Sequence, residues 1–368
     1  MNETEISTEA HPAYNAPPPA GDAPLVDVRD LNVIFEKNQM FQKSRVVGAV
    51  KNVSFQIGKG ETLGLVGETG SGKSTTGRAI LKLVPVDSGS VTVAGQDLLS
   101  LKGANLRKAR RNMQMIFQDP YSSLDPSATV GASISEPLMV HDKMSAKAAR
   151  KRAVELLELV GLRESHVDRY PYEFSGGQRQ RVAIARALAL NPQFIVCDEA
   201  VSALDVSTQN QVINLLERLR AEFGLSYLFI AHDLAIVRHI SHRVAVMYLG
   251  RIIEIGPAER IYNKPAHPYT QALLSAIPDA SPHRKKGERI LLKGELPDPG
   301  NPPSGCPFRT RCPYVMDICQ EQMPEMTPVD GGGEVACHLQ TTGPELAGSS
   351  LGGLAPTSPG TTNLGADK

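Results

Sequence analysis

The stretch Gly67-Glu68-Thr69-Gly70-Ser71-Gly72-Lys73-Ser74 follows the apolar run Leu63-Gly64-Leu65-Val66 and leads into Thr75-Thr76-Gly77-Arg78-Ala79-Ile80-Leu81. It has the pattern G-x-x-x-x-G-K-[ST], set between a strand-type run and a helix-type run, where a phosphate loop must stand to work. Glycines at 67, 70 and 72 let the backbone curl, so that successive N–H groups face inward toward phosphate oxygens. The helix opening near Lys73 adds the positive end of its dipole. Lys73 can reach the β- and γ-phosphates, and the Ser74 hydroxyl can ligate Mg²⁺. The loop predicts a nucleoside triphosphate site. It does not say what the energy is used for.

Moving outward, Leu25 to Phe35 and Val46 to Ile57 read as strands, separated by a basic, polar insert from Glu36 to Arg45. Gly58-Lys59-Gly60-Glu61 is a turn into the strand of the phosphate loop. Residues 119–130 read as loop, with prolines and serines. Residues 145–160 predict an amphipathic helix, with Ala149, Ala153, Leu156, Leu157 and Val160 at helical spacing, Ser145 as N-cap and Gly161 as stop. Further helices are expected from Gly177 to Leu190 and from Thr208 to Glu222, with short buried strands at 194–197 and 227–231. This alternation predicts a parallel α/β sheet covered on both faces.

The 368 residues suffice for one large domain or two smaller ones. Thirty-nine basic and 39 acidic residues cancel, so global charge does not argue for nucleic acid or an anionic membrane as the main partner. No stretch approaches the roughly 20 apolar residues needed to cross a bilayer. Residues 1–24 are acidic and rich in Pro and Ala, unlike a secretory signal, and predict a disordered arm. A disordered tail is expected over 341–368. Together these features predict a cytosolic chain unless another subunit holds it at a membrane.

The strand Phe194-Ile195-Val196-Cys197 ends in Asp198-Glu199. Asp198 can hold Mg²⁺ through water opposite Ser74, and Glu199 can polarise a water in line with the γ-phosphate. Paired acids after a strand more often form a helix N-cap region, but beside a phosphate loop that reading weakens. Three further segments join them: Phe174-Ser175-Gly176-Gly177-Gln178 before a helix, Gln118 after Met113 to Phe117, and His232 after Phe229-Ile230-Ala231. With Ser202-Ala203-Leu204-Asp205, these resemble, in order and over residues 25–255, the nucleotide-binding subunit of an ABC transporter.

The resemblance implies a RecA-like P-loop core with an antiparallel β subdomain and a helical subdomain over about 119–187. It implies that Phe35, Gly67, Glu68, Thr69, Gly70, Ser71, Gly72, Lys73, Ser74, Thr75 and Asp198 bind ATP, with Phe35 stacking on adenine; a core aromatic is the other reading of Phe35. Ser175, Gly176, Gly177 and Gln178 would complete the site of a second ATPase subunit in a head-to-tail dimer, and Asp205 would lie in a loop crossing that interface. Gln118 would contact Mg²⁺ and the attacking water, and His232 would steady the water activated by Glu199.

After residue 255 the chain becomes rich in Pro, Gly and Cys, with one helix expected near 269–277, predicting a small irregular domain over 256–340. Asn263 to Leu274 and Gly294 to Cys312 resemble the extension of oligopeptide and dipeptide importers, as do the insert around Lys43 to Arg45 and the run Asp119 to Pro126. That resemblance implies two transmembrane permease subunits, an extracytoplasmic binding protein and a place on the cytoplasmic face of the membrane. Nickel and glutathione importers share these features, and a soluble ABC-type regulatory ATPase is a rival from another class.

Cys197 reads as a core residue. Cys306, Cys312, Cys319 and Cys337 stand at spacings x5, x6 and x17. In a reducing cytosol such a group suggests a metal or cluster before disulfides. The resemblance implies a [4Fe–4S] cluster; zinc, or free thiols, are the alternatives, and His338 could replace one ligand.

Overall fold

Strands that are apolar throughout need cover on both faces, and the strands around the phosphate loop are of this kind. The computed structural model describes residues 23–37, 45–277, 290–292 and 294–341. Strands β1 (Val26–Lys37) and β2 (Arg45–Ile57) pair antiparallel, with Val26 opposite Ile57. After β3 (Thr62–Val66) and helix α1 (Lys73–Ile80), the chain adds β4 (Ser88–Val93) and β5 (Gln96–Asp97) to the first sheet, in the order β2-β1-β4-β5. Helix α2 (Gly103–Ala109) precedes β6 (Met113–Ile116).

A run of helices follows: α3 (Pro120–Ser123), α4 (Val130–His141), α5 (Ala146–Leu159) and α6 (Gly176–Leu188). The chain then alternates through β7 (Phe194–Asp198), α7 (Val206–Phe223), β8 (Ser226–Ile230), α8 (Leu234–Ile240) and β9 (Arg243–Tyr248). Strands β6, β7, β8, β3 and β9 lie side by side and parallel. The predicted parallel α/β sheet is present, and β3, β7 and β8 are buried at every position.

Helix α5 forms where its pattern places it. Ser145 Oγ accepts the Ala148 N–H at 3.3 Å, Ala149, Ala153, Leu156 and Leu157 are buried, and Gly161 turns the chain with φ +79°. Helix α7 starts two residues before the expected Thr208 because the Asp205 carboxylate caps it. The expected loop over 119–130 contains the short turn α3, in which Asp119 Oδ1 accepts the Tyr121 N–H at 2.8 Å. Helix α4 was not visible in the sequence reading. Pro137 and Gly131 blur its pattern, although Val130, Ile134 and Leu138 are buried at helical spacing.

Beyond β10 (Arg251–Pro257), which pairs antiparallel with β9, come α9 (Ala258–Asn263), α10 (Pro268–Ser275), α11 (Ile318–Glu321), β11 (Met326–Pro328) and β12 (Glu334–Ala336). Helix α10 is the one expected near 269–277. Strand β12 pairs with β10, so the region over 256–340 extends the core sheet to eight strands.

A buried ion pair fastens this junction. Glu254 of β10 is fully buried against Arg260 of α9, and its carboxylate accepts the N–H groups of Ala266 at 2.9 Å and His267 at 3.0 Å. Burial pushes the Glu254 carboxyl up, and Arg260 pulls it back. His267 is buried and neutral, driven down to about 3 by loss of solvent, and its Nδ1 caps α10 by accepting the Tyr269 N–H. The arm and tail expected at 1–24 and 341–368, and the insert around Lys43, lie outside the described residues apart from their inner ends.

Candidate nucleotide site

Parallel strands deliver their C-terminal ends to one edge, and the register decides which residues meet there. Leu65 of β3 lies beside Ile230 of β8 and Ala245 of β9, so the loop after Val66 emerges between two neighbours. Asp198 of β7 pairs with Ile230, which puts Glu199 and His232 just beyond the same edge. Ile116 of β6 pairs with Cys197, and Gln118 follows two residues later.

The phosphate loop is held by close packing. Gly72 has φ +104°, and a Cβ there would lie 2.3 Å from the Ala49 carbonyl oxygen. Gly77 brings α1 down on the sheet, since a Cβ would meet Val196 Cγ1 at 2.8 Å. Lys73 Nζ donates to the carbonyls of Gly67 at 2.7 Å and Glu68 at 3.0 Å. Burial pushes its ammonium pKa down, while Glu199, Asp198 and Glu68 pull it up. Ser71 and Lys73 are buried, Thr69 and Gly70 are exposed, and Thr75 is half-buried on the first turn of α1.

Ser74 Oγ donates to Asp198 Oδ1 at 2.6 Å, and Arg78 approaches the other carboxylate oxygen at 3.5 Å. A hydroxyl and a buried carboxylate thus converge at the mouth of the loop, a donor set that suits Mg²⁺. Glu199 holds φ +49°, an uncommon value for this residue, fixed by its N–H donating to the Ile230 carbonyl at 2.9 Å. Its carboxylate accepts Gln118 Nε2 at 2.8 Å and lies 3.7 Å from His232 Nδ1. Carboxylate, amide and imidazole therefore share one small volume. They can orient a water and take its proton.

Phe35 is 41% exposed on β1, so it is a surface aromatic with a face available for stacking. Ser175 caps α6: its Oγ accepts the Gln178 N–H at 3.3 Å, and Gln178 Oε1 accepts the Ser175 N–H at 3.0 Å. Gly177 packs on α7, where a Cβ would lie 2.2 Å from Thr208 Cγ2, and Gly176 faces Leu204 more loosely. The Asp205 carboxylate accepts both the Thr208 N–H at 2.9 Å and its hydroxyl at 2.7 Å, which lowers its pKa. No hydrogen bond or ion pair among the described residues joins Ser175–Gln178 or Asp205 to residues 67–75.

Cys197 is fully buried in β7, and burial pushes its thiol up. Cys306, Cys319 and Cys337 are buried and Cys312 half-buried. Burial drives the thiols of Cys306 and Cys312 up to about 11 and 12, and Cys337 lies in the field of the other three. Cys306 and Cys319 are joined through the backbone, the Cys306 N–H donating to the Cys319 carbonyl at 2.8 Å. Yet among the described residues no three His, Cys, Asp or Glu side chains are grouped to hold a metal ion. His338 Nε2 is engaged with the Gln322 carbonyl oxygen at 2.9 Å.

The sequence reading missed Arg311 and Tyr269, which both touch Glu68 of the phosphate loop. Their distance along the chain left no local signal. Comparison with known proteins adds a family match. The family described as ABC transporter matches residues 50–202, and the oligopeptide/dipeptide transporter C-terminal region matches residues 253–319. The oligopeptide transport ATP-binding protein AppF of Bacillus subtilis (strain 168) is 51% identical over 327 residues, covering 87% of this chain and 98% of that protein. The glutathione import ATP-binding protein GsiA of Pectobacterium atrosepticum is 54% identical over 296 residues, 79% of this chain and 48% of that protein. The dimeric post-hydrolysis structure of the ATP-binding cassette MJ0796, bound to ADP and Pi, matches with TM-score 0.57 and 31% identity, over 63% of this chain and 98% of that one.

Proposed function

The chain belongs to the ABC transporter ATPases that carry the oligopeptide/dipeptide C-terminal region, and on that premise we propose that it powers peptide import by hydrolysing ATP. The observation that carries this reading is the convergence of Ser74, Asp198, Glu199, Gln118 and His232 at the mouth of the phosphate loop. In this reading the loop and Lys73 bind the β- and γ-phosphates, and Phe35 stacks on adenine. Ser74 and Asp198, with Gln118, would hold Mg²⁺, which when bound would supply neutralisation of charge on the transferred phosphoryl group. Glu199 takes a proton from water while the water oxygen bonds to the γ-phosphorus and the bond to ADP breaks, and His232 and Gln118 orient that water.

The helix end at Ser175–Gln178, where Ser175 is exposed, would serve the nucleotide of a second ATPase subunit, since a helix N-terminus suits an anion. Asp205 sits at that interface. The surface around Gln118 to Ser135 adjoins a groove of about 370 Å³ that Leu83, Phe117, Ser123, Pro137 and Val140 help to line. A short helix from a permease subunit would dock there. No helix among the described residues is long and apolar enough to cross a membrane, so membrane attachment at the cytoplasmic face would come through those permeases. An extracytoplasmic binding protein would supply the substrate, and nucleic acid has no part in this reading.

The test is reconstitution with the co-expressed permeases and partner ATPase in proteoliposomes. Peptide-loaded binding protein should stimulate ATP hydrolysis and peptide entry. Hydrolysis driven only by glutathione or nickel would replace the substrate class, and activity without any membrane partner would favour a soluble regulator.

The finer proposal concerns the four thiols. As residue types, four thiols match the ligands of a [4Fe–4S] cluster, or of zinc, which would staple a segment with little core of its own, although the side chains would have to draw together from their present positions to hold it. Anaerobically purified chain should carry iron that is lost in Cys306→Ser and Cys319→Ser. Zinc in its place would select the alternative, and neither metal would leave the thiols free.

A further inference from the structure

Between Cys306 and Cys312 the chain makes tight turns, with the Arg309 N–H donating to the Cys306 carbonyl at 3.1 Å and the Arg311 N–H to that of Phe308 at 3.0 Å. These turns aim two side chains at the back of the phosphate loop. Phe308 is buried, its ring centroid 5.4 Å from both Tyr248 and Tyr269. Arg311, with its side chain only 8% exposed, grips Glu68 with a two-pronged pair, Nη1 to Oε2 at 2.7 Å and Nη2 to Oε1 at 2.9 Å. The Tyr269 hydroxyl accepts the Glu68 N–H at 2.9 Å. One residue of the phosphate loop is thus fixed through both its carboxylate and its backbone by groups from the C-terminal region.

We propose that Arg311 is a positioning residue for the nucleotide site, setting the phosphate loop through Glu68, so that the cysteine-bearing segment acts on ATP binding. The proposal rests on the reading of residues 67–74 as an ATP site. Arg311 touches no expected nucleotide position except through Glu68. Its planar fork fixes the carboxylate in orientation as well as distance, which a point charge does not. A loop held this way keeps its inward N–H groups aligned before nucleotide arrives, lowering the ordering cost of binding.

The experiment uses the full chain, with fluorescent mant-ATP as probe and hydrogen exchange read on the amides of 67–72. Arg311→Ala should weaken mant-ATP binding by about tenfold, as expected for loss of a charge-assisted bidentate pair, and should speed exchange in the loop. Arg311→Lys should recover part of the loss. In the double variant Arg311→Ala with Glu68→Ala, binding should be no weaker than in the weaker single variant.

Wild-type affinity in a folded Arg311→Ala variant, or additive losses in the double variant, overturns the proposal. Should Arg311→Ala lower the melting temperature of the whole chain, Glu68→Gln separates the causes, because it leaves the guanidinium and its segment in place. Glu68→Gln should loosen the loop in the same direction. Wild-type binding and exchange in Glu68→Gln would also overturn the proposal. A wild-type chain that binds no mant-ATP overturns the nucleotide reading itself, and this proposal with it.

Discussion

Glu199→Gln is expected to bind ATP as the wild type does and to lose steady-state hydrolysis by a factor of about 10² to 10⁴, the usual contribution of a positioned general base. The substitution keeps the shape of the side chain and removes its capacity to take a proton. The surroundings justify so large an effect. The backbone at Glu199 stands at φ +49° with its N–H bonded to the Ile230 carbonyl, and Gln118 and His232 flank the carboxylate that this position presents. Gln118 Nε2 already donates to the carboxylate at 2.8 Å, which leaves a lone pair for water. Single-turnover and steady-state phosphate release in the assembled complex, beside equilibrium ATP binding, measure the two halves of the expectation. The trapped nucleotide should also hold the two ATPase subunits together, visible as a stable dimer by size-exclusion chromatography. Hydrolysis at wild-type rate would remove Glu199 from the role of base.

Arg260→Met is expected to destabilise the chain by about 3–5 kcal/mol, because it leaves the buried Glu254 carboxylate without its cation. Glu254 is wholly removed from solvent, and its remaining partners include the neutral N–H groups of Ala266 and His267. Arg260 also donates to the carbonyls of Ile255 and Gly332 at 3.1 Å each, so two more acceptors lose a partner, the Ile255 carbonyl away from solvent. Adding Glu254→Gln to Arg260→Met should return part of the loss, since the amide is uncharged and its single carbonyl oxygen can still accept one of the two N–H groups. Urea unfolding followed by circular dichroism gives the comparison. A cost under about 1 kcal/mol for Arg260→Met would place the pair among weakly contributing ion pairs.

Much of the site was legible because its chemistry is local. Gly67 to Ser74 must curl within eight residues, and Asp198-Glu199 must follow one strand, so each carries its own pattern. The parallel order of β3, β7 and β8 then brought them together without further information. Helix α4 and the short strands β4, β11 and β12 were less visible, because brief elements with Gly or Pro carry little periodicity. Pairs such as Glu68 with Arg311 and Glu254 with Arg260 could not be read at all. Charged residues are common on any surface, and only burial reveals which two face each other. The same limit applies to the four cysteines, whose spacing suggested a common site without specifying its geometry.

The pairing of β12 with β10 has a consequence for solubility. Without residues 326–336, β10 would end the large sheet as a bare edge, exposing unpaired backbone at Glu254 and Ile255. Such an edge invites a strand from another molecule. The C-terminal segment is therefore also a guard strand, and a chain cut after Pro257 would present a sticky margin to its neighbours as well as losing the Tyr269 and Arg311 contacts to Glu68.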